Sequence, residues 1–112
     1  MKKIEAIIRV EKLDEVREAL EEHGYPGMTI TRVEGHGRQK GVTEQFRGRE
    51  FKVELLPKIK LEIVAHDNDV NKIMSCISST AKSGEIGDGK IFVYPVEDAQ
   101  RIRTQERGEV AI

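Results

Sequence analysis

Two stretches of alternation, KIEAIIRV at 3–10 and LPKIKLEIVA at 56–65, each lead into a helical stripe, and this repeat constrains the fold more than any other feature. In the first, Ile4, Ala6, Ile8 and Val10 face one way and Glu5, Ile7 and Arg9 the other, the period of a strand with one buried face. EKLDEVREALEEHG then sets Leu13, Val16 and Leu20 at helical spacing, with Gly24 and Pro26 as a stop. In the second, Ile59, Leu61 and Ile63 alternate, and Asp67 is the expected N-cap of a helix whose Val70, Ile73, Met74, Ile77 and Ala81 form one stripe closing at Gly84. MTITRVEG (28–35) and IFVYPV (91–96) read as further strands, the latter cut short by Pro95. The order β-α-β-β-α-β predicts an α+β, ferredoxin-like fold: a four-stranded antiparallel sheet, both helices on one face, and a C-terminal extension. A chain of 112 residues supports one such domain, 1–112, around one modest core.

Hairpin links usually take ~2 to 5 residues, yet the second and third predicted strands are joined by a long loop of about 36–55. Arg38, Lys40, Arg47, Arg49 and Lys52 outweigh Glu44, Glu50 and Glu54 there, and Gly37, Gly41 and Gly48 keep it pliant. Over the whole chain Lys+Arg 19 nearly cancels Asp+Glu 20, so no global field draws the chain to nucleic acid or an anionic membrane. RNA readers of this fold stack bases on aromatics of the central strands, where this chain has Ile4, Ile8, Ile59 and Leu61. Cys76 stands alone, without partners for a disulfide or a zinc site. Glu5 and Arg9 interrupt any signal-peptide stretch, and no apolar run approaches the ~18 residues of a membrane helix, which points to the cytoplasm.

The residues that carry chemistry point to an anionic ligand. GEIGDGK (84–90) has three glycines that let backbone N–H groups approach an anion, with Lys90 as a point charge; the same residues also suit a plain helix cap and turn. GHGRQKG (35–41) alternates glycine with Arg38 and Lys40 in a second cradle. On an extended tail, Arg101 and Arg103 at i and i+2 would project to one side and fork onto phosphate, although solvated surface is the commoner fate of such a pair. His23, at a helix end, and His66, in a strand-to-helix turn, suit structural positions, and Ser75, Ser78, Ser79 and Ser83 read as the polar face and end of the second helix. No carboxylate pair is marked for acid–base work, so a sensor fits better than an enzyme.

Three blocks, GHGRQKGVTEQFRGREF, LPKIKLEIV and SGEIGDGKIFVYPVEDAQRIRTQERGE, agree in order and spacing with one family. In them the chain resembles the PII nitrogen-regulatory signal-transduction proteins, in particular the branch associated with ammonium transporters. The resemblance implies a homotrimer that binds ATP or ADP between neighbours and reads 2-oxoglutarate. Carried over by position, the nucleotide set is Thr29, Gly37, Arg38, Gln39, Glu62, Val64, Gly87, Asp88, Gly89, Lys90, Arg101 and Arg103. The 2-oxoglutarate set is Arg9, Gln39, Lys40, Gly41 and Lys58, with Gln39 a ligand of Mg²⁺ shared with the ATP phosphates. The long loop, with Phe46, Arg47, Gly48 and Phe51, would meet the partner: an ammonium transporter whose conduction Arg47 blocks, or glutamine synthetase or another nitrogen-metabolism protein. ADP, or ATP alone, would favour channel binding, and Mg-ATP with 2-oxoglutarate would release it. The rival class is another ferredoxin-like regulatory domain for a small molecule, which would need no nucleotide.

Two departures bear on control. Many relatives modify a tyrosine at the position of Phe51, and some phosphorylate a serine at that of Arg49. Neither residue here carries the hydroxyl that such chemistry needs, so ligands alone would set the state.

Overall fold

The computed structural model describes residues 1–36 and 55–112, and between them the backbone of 43–46 and 49–52. Strands β1 (Lys2–Arg9), β2 (Thr29–Gly35), β5 (Leu56–Ala65) and β6 (Gly89–Pro95) form one antiparallel sheet in the order β2-β5-β1-β6. Helices α1 (Leu13–Glu22) and α2 (Val70–Ala81) cover one face. This is the ferredoxin-like arrangement expected. Burial follows the alternation: Ile4, Ala6 and Ile8 of β1 and Ile59, Leu61 and Ile63 of β5 point into a core closed by Val16, Leu20, Ile73 and Ile77. No polar side chain is buried among the described residues.

Local departures from the sequence reading have physical causes. Asp67 does not cap α2: its residues 67–69 form a 3-10 turn with no side-chain cap bond, and its carboxylate lies 3.0 Å from the Met1 ammonium. That competing cation holds the Asp67 carboxyl below its usual range. Helix α2 stops at Ala81, ahead of Gly84, because Lys82 is already extended. Strand β6 begins at Gly89, two residues early, since the pairing Ile8↔Gly89 and Ile7↔Lys90 continues onto β1. The segment read as a loop contains two strands, β3 (Thr43–Phe46) and β4 (Arg49–Lys52), paired from Thr43↔Lys52 to Phe46↔Arg49.

Among the described residues no helix covers the second face of the sheet. Lys3, Glu5, Glu62 and Lys60 line it, with Lys3 3.3 Å from Glu62 and Tyr94 donating to Glu5 at 3.2 Å. Beside these charges Phe92 and Tyr94 of β6 and Val64 of β5 are about two-fifths exposed. Charge and apolar area are interleaved on this face, as on the surfaces that proteins bury against partners.

Candidate functional site

Register places two cations opposite one another at one end of the open face, Arg9 on β1 and Lys58 on β5. Like charges in directly opposed positions repel, so this end of the sheet needs compensation. It comes from the loop between α2 and β6. Arg9 donates through Nε to Asp88 at 3.0 Å and through its terminal nitrogen to the Ile86 carbonyl at 2.9 Å. Lys58 donates to the Gly87 carbonyl at 2.7 Å. Burial first, and the Arg9 charge second, hold the Lys58 ammonium below the ordinary lysine range.

The Asp88 carboxylate is the knot of this loop. Besides Arg9 it accepts the Ser83 amide at 3.0 Å, the Gly84 amide at 2.9 Å and the Ser83 hydroxyl. These bonds, led by the Ser83 hydroxyl, hold its carboxyl far below the usual carboxylate range, so it is ionised at every physiological pH. Next along the chain, Gly89 has φ +107°, and a Cβ there would lie 1.7 Å from the Ile7 carbonyl oxygen. Only glycine lets β6 approach β1 this closely. At Gly89 the need for glycine is packing against Ile7.

Between this loop and the open face lies a cavity of about 660 Å³, lined by Ile7, Lys58, Gly87, Gly89, Lys90 and Phe92 among others. Its walls combine the ammonium groups of Lys58 and Lys90, a glycine backbone and an apolar floor with the carboxylates of Glu85 and Asp88, the latter tied to Arg9 and Ser83. Among the described residues no three His, Cys, Asp or Glu gather as a metal site, and no helix is long and apolar enough to cross a membrane.

The remaining expected site residues fall elsewhere. Thr29 and Glu62 are cross-strand partners towards the far end of the sheet, with Val64 two residues further along β5. Arg101 and Arg103 lie beyond that same end, in the tail after β6. The tail is not extended as expected: residues 102–104 turn back, Gln105 adopts φ 62°, and Gln100 bridges to Arg107. Arg101 is bound to Glu106 at 3.1 Å and to the Val110 carbonyl at 3.2 Å, and Arg107 to Asp98 through Nε at 3.0 Å. The i, i+2 geometry proposed for the two arginines is therefore replaced by a folded turn. Gly37, Arg38, Gln39, Lys40, Gly41, Arg47 and Gly48 lie outside the described residues, and Phe46 and Phe51 are described only as backbone positions in β3 and β4.

A family model described as nitrogen regulatory protein P-II matches residues 1–106. The chain belongs to that family. The nitrogen regulatory protein P-II of Pasteurella multocida is 58% identical over 112 residues, covering the whole of both chains. P-II 1 of Escherichia coli is 56% identical over the same span, and P-II 2 of Methanothermobacter thermautotrophicus 54%, with 97% of that relative covered. Membership in a family of regulatory signalling proteins makes this P-II chain a regulator of nitrogen metabolism rather than an enzyme.

Sequence reasoning assigned Ser83 to the end of a helix and overlooked its bonds to Asp88. The signal was present: a serine five residues before an aspartate, across two glycines, has the reach to close a turn on itself. His23 and His66 behave structurally, His23 against the Ala19 carbonyl at 2.7 Å and His66 against Glu109.

Proposed function

We propose that this P-II chain senses nitrogen and energy status by binding ATP or ADP together with 2-oxoglutarate, and passes the result to a partner through the segment 36–55. The observation that carries the reading is the pair Arg9 and Lys58, opposed on an open sheet face and turned towards a glycine loop above a cavity. Lys90 and the backbone of Gly87 to Gly89 would meet the phosphates, while Lys58 would receive a carboxylate by leaving the Gly87 carbonyl. Arg9 lends positive charge from behind Asp88. Gly37, Arg38, Lys40 and Gly41 would complete the anion end. Mg²⁺, held by Gln39 with the ligands' own oxygens, would neutralise charge between triphosphate and dicarboxylate.

The two halves of the assigned nucleotide site argue for assembly. Gly89 and Pro95 bound β6, and at ~3.3 Å per residue its two ends are roughly 20 Å apart. The glycine loop is at one end, and Thr29, Glu62, Val64, Arg101 and Arg103 are towards the other. A single chain cannot close both around one nucleotide's phosphates, whereas neighbours packed by their open faces can. We therefore propose a homotrimer, with the half-exposed Phe92, Tyr94 and Val64 buried between copies. The partner that fits best is a cytoplasmic channel mouth, that of an ammonium transporter, entered by Arg47.

Calorimetry tests the core of this proposal. ATP should bind at micromolar to submillimolar concentration, and 2-oxoglutarate should bind only with Mg-ATP present. Absence of nucleotide binding would return the chain to the class of nucleotide-independent regulatory domains. A pull-down from membrane and soluble extracts, in the ADP and the Mg-ATP/2-oxoglutarate states, distinguishes the transporter from glutamine synthetase.

A further inference from the structure

Ser83 belongs to none of the ligand sets above, yet it makes three bonds in the loop. Its amide and hydroxyl both reach Asp88, and its oxygen accepts the Glu85 amide at 3.2 Å. Gly84 adds a further amide to the same carboxylate. The segment 83–88 is thereby closed into a ring, and the ring is clipped to the sheet by Arg9 at Ile86 and by Lys58 at Gly87. Gly89, immediately after it, is fixed against Ile7. The backbone that the segment 83–88 brings to the cavity is thus set by one small clamp whose centre is the Ser83–Asp88 pair.

We propose that Ser83 is a positioning residue for anion recognition, acting through Asp88 on the loop that lines the cavity. The assignment rests on the reading of that cavity as a phosphate site. A glycine-rich turn has a large conformational entropy to lose, and a ligand that must order it binds more weakly than one that finds it ordered. The Asp88 carboxylate, although at the cavity wall, is taken up by Arg9, Ser83 and Gly84, so its part is to shape the loop. The Ser83 hydroxyl donates a charge-assisted hydrogen bond to that carboxylate, the stronger class of such bonds. Arg9 donates to the same carboxylate oxygen as the Ser83 hydroxyl. The clamp therefore links the cationic end of the sheet to the amides of the turn, and Ser83 is its one neutral, replaceable member.

The experiment compares wild type, Ser83→Ala and Ser83→Thr, with ATP binding measured by calorimetry and adenosine binding by competition. Ser83→Ala should weaken ATP about tenfold, equivalent to about 1.4 kcal/mol. Ser83→Thr, which restores the hydroxyl, should come back to within about twofold of wild type. Adenosine, which has no phosphates, should bind all three alike. ATP affinity unchanged by Ser83→Ala, or not restored by Ser83→Thr, overturns the assignment while leaving the nucleotide reading intact. Equal loss of ATP and adenosine also overturns it, since the defect would then lie in the fold. If wild type itself fails to bind ATP, the nucleotide reading falls first and this assignment with it.

Discussion

Gly89→Ala should destabilise the chain far more than Gly84→Ala, although both glycines lie in the same turn and both have positive φ, +107° and +91°. The conformational cost of an alanine in that region is roughly 1–2 kcal/mol and is common to the two. The surroundings differ. Nothing lies within 4 Å of a Cβ at Gly84, whereas at Gly89 the Ile7 carbonyl oxygen would be 1.7 Å away and its carbon 2.8 Å. Both are backbone atoms of a central strand, so β6 must move away by more than an ångström at the point where Ile8 pairs with Gly89. Losing a backbone hydrogen bond there adds about 1 kcal/mol, and unpacking the strand end adds more. The expected total is about 3 kcal/mol or more for Gly89→Ala, a fall in Tm of roughly 12 °C or more for a chain of this size. Urea unfolding followed by far-ultraviolet circular dichroism, at one fixed protein concentration because assembly contributes to apparent stability, measures the difference. Equal losses in the two variants would refute the argument, because they would mean that the strand approach does not constrain residue 89.

Leu61→Ala removes a fully buried side chain between the helices and β1, and should cost about 3 kcal/mol in urea unfolding, within the usual range of 2–5 for such truncations. A depressed carboxylate stabilises the fold above its unfolded pKa and loses that contribution only as pH falls through the folded value. The gap in thermal midpoint between wild type and Asp88→Asn should therefore hold constant from pH 7 to about 4 and narrow only below that; narrowing between 7 and 5 would contradict the clamp. Burial pushes the Cys76 thiol up, so a thiol reagent should label the native chain slowly at pH 7.5 and rapidly in urea. Arg47→Ala should relieve inhibition of ammonium uptake without altering nucleotide affinity, and unchanged inhibition would exclude a plug at that residue.

The sheet and its helices were legible because their residues obey one period each. Ile4, Ala6 and Ile8 on β1 and Ile59, Leu61 and Ile63 on β5 are buried as alternation requires. The hairpin β3–β4 was not, since Glu44, Gln45, Arg49 and Glu50 give no apolar alternation to set against their polarity. Asp67 was misassigned because its carboxylate has a distant rival, the Met1 ammonium, which local sequence cannot reveal. The tail was misjudged for the same kind of reason: Arg101 and Arg107 find Glu106 and Asp98, and these ion pairs fold a segment whose sequence alone looks extended. At the candidate site, residue types announced an anion. The opposition of Arg9 and Lys58 emerges only when strands distant in sequence are paired.

That pairing also has a consequence in time. Strand β1 sits between β5 and β6, so Lys2 meets Ala65 and Pro95, and no segment made earlier can hydrogen-bond to it in the native sheet. At synthesis rates of about 5–20 residues per second, the stretch separating Lys2 from Ala65 takes roughly 3–13 s to appear. Through that interval the apolar row Ile4, Ala6, Ile8 must travel without its neighbours, flanked by Lys2, Lys3, Glu5 and Arg9, whose charges discourage pairing with the same strand of another nascent copy. The charged residues of the open face thus have work to do on the ribosome before any ligand arrives.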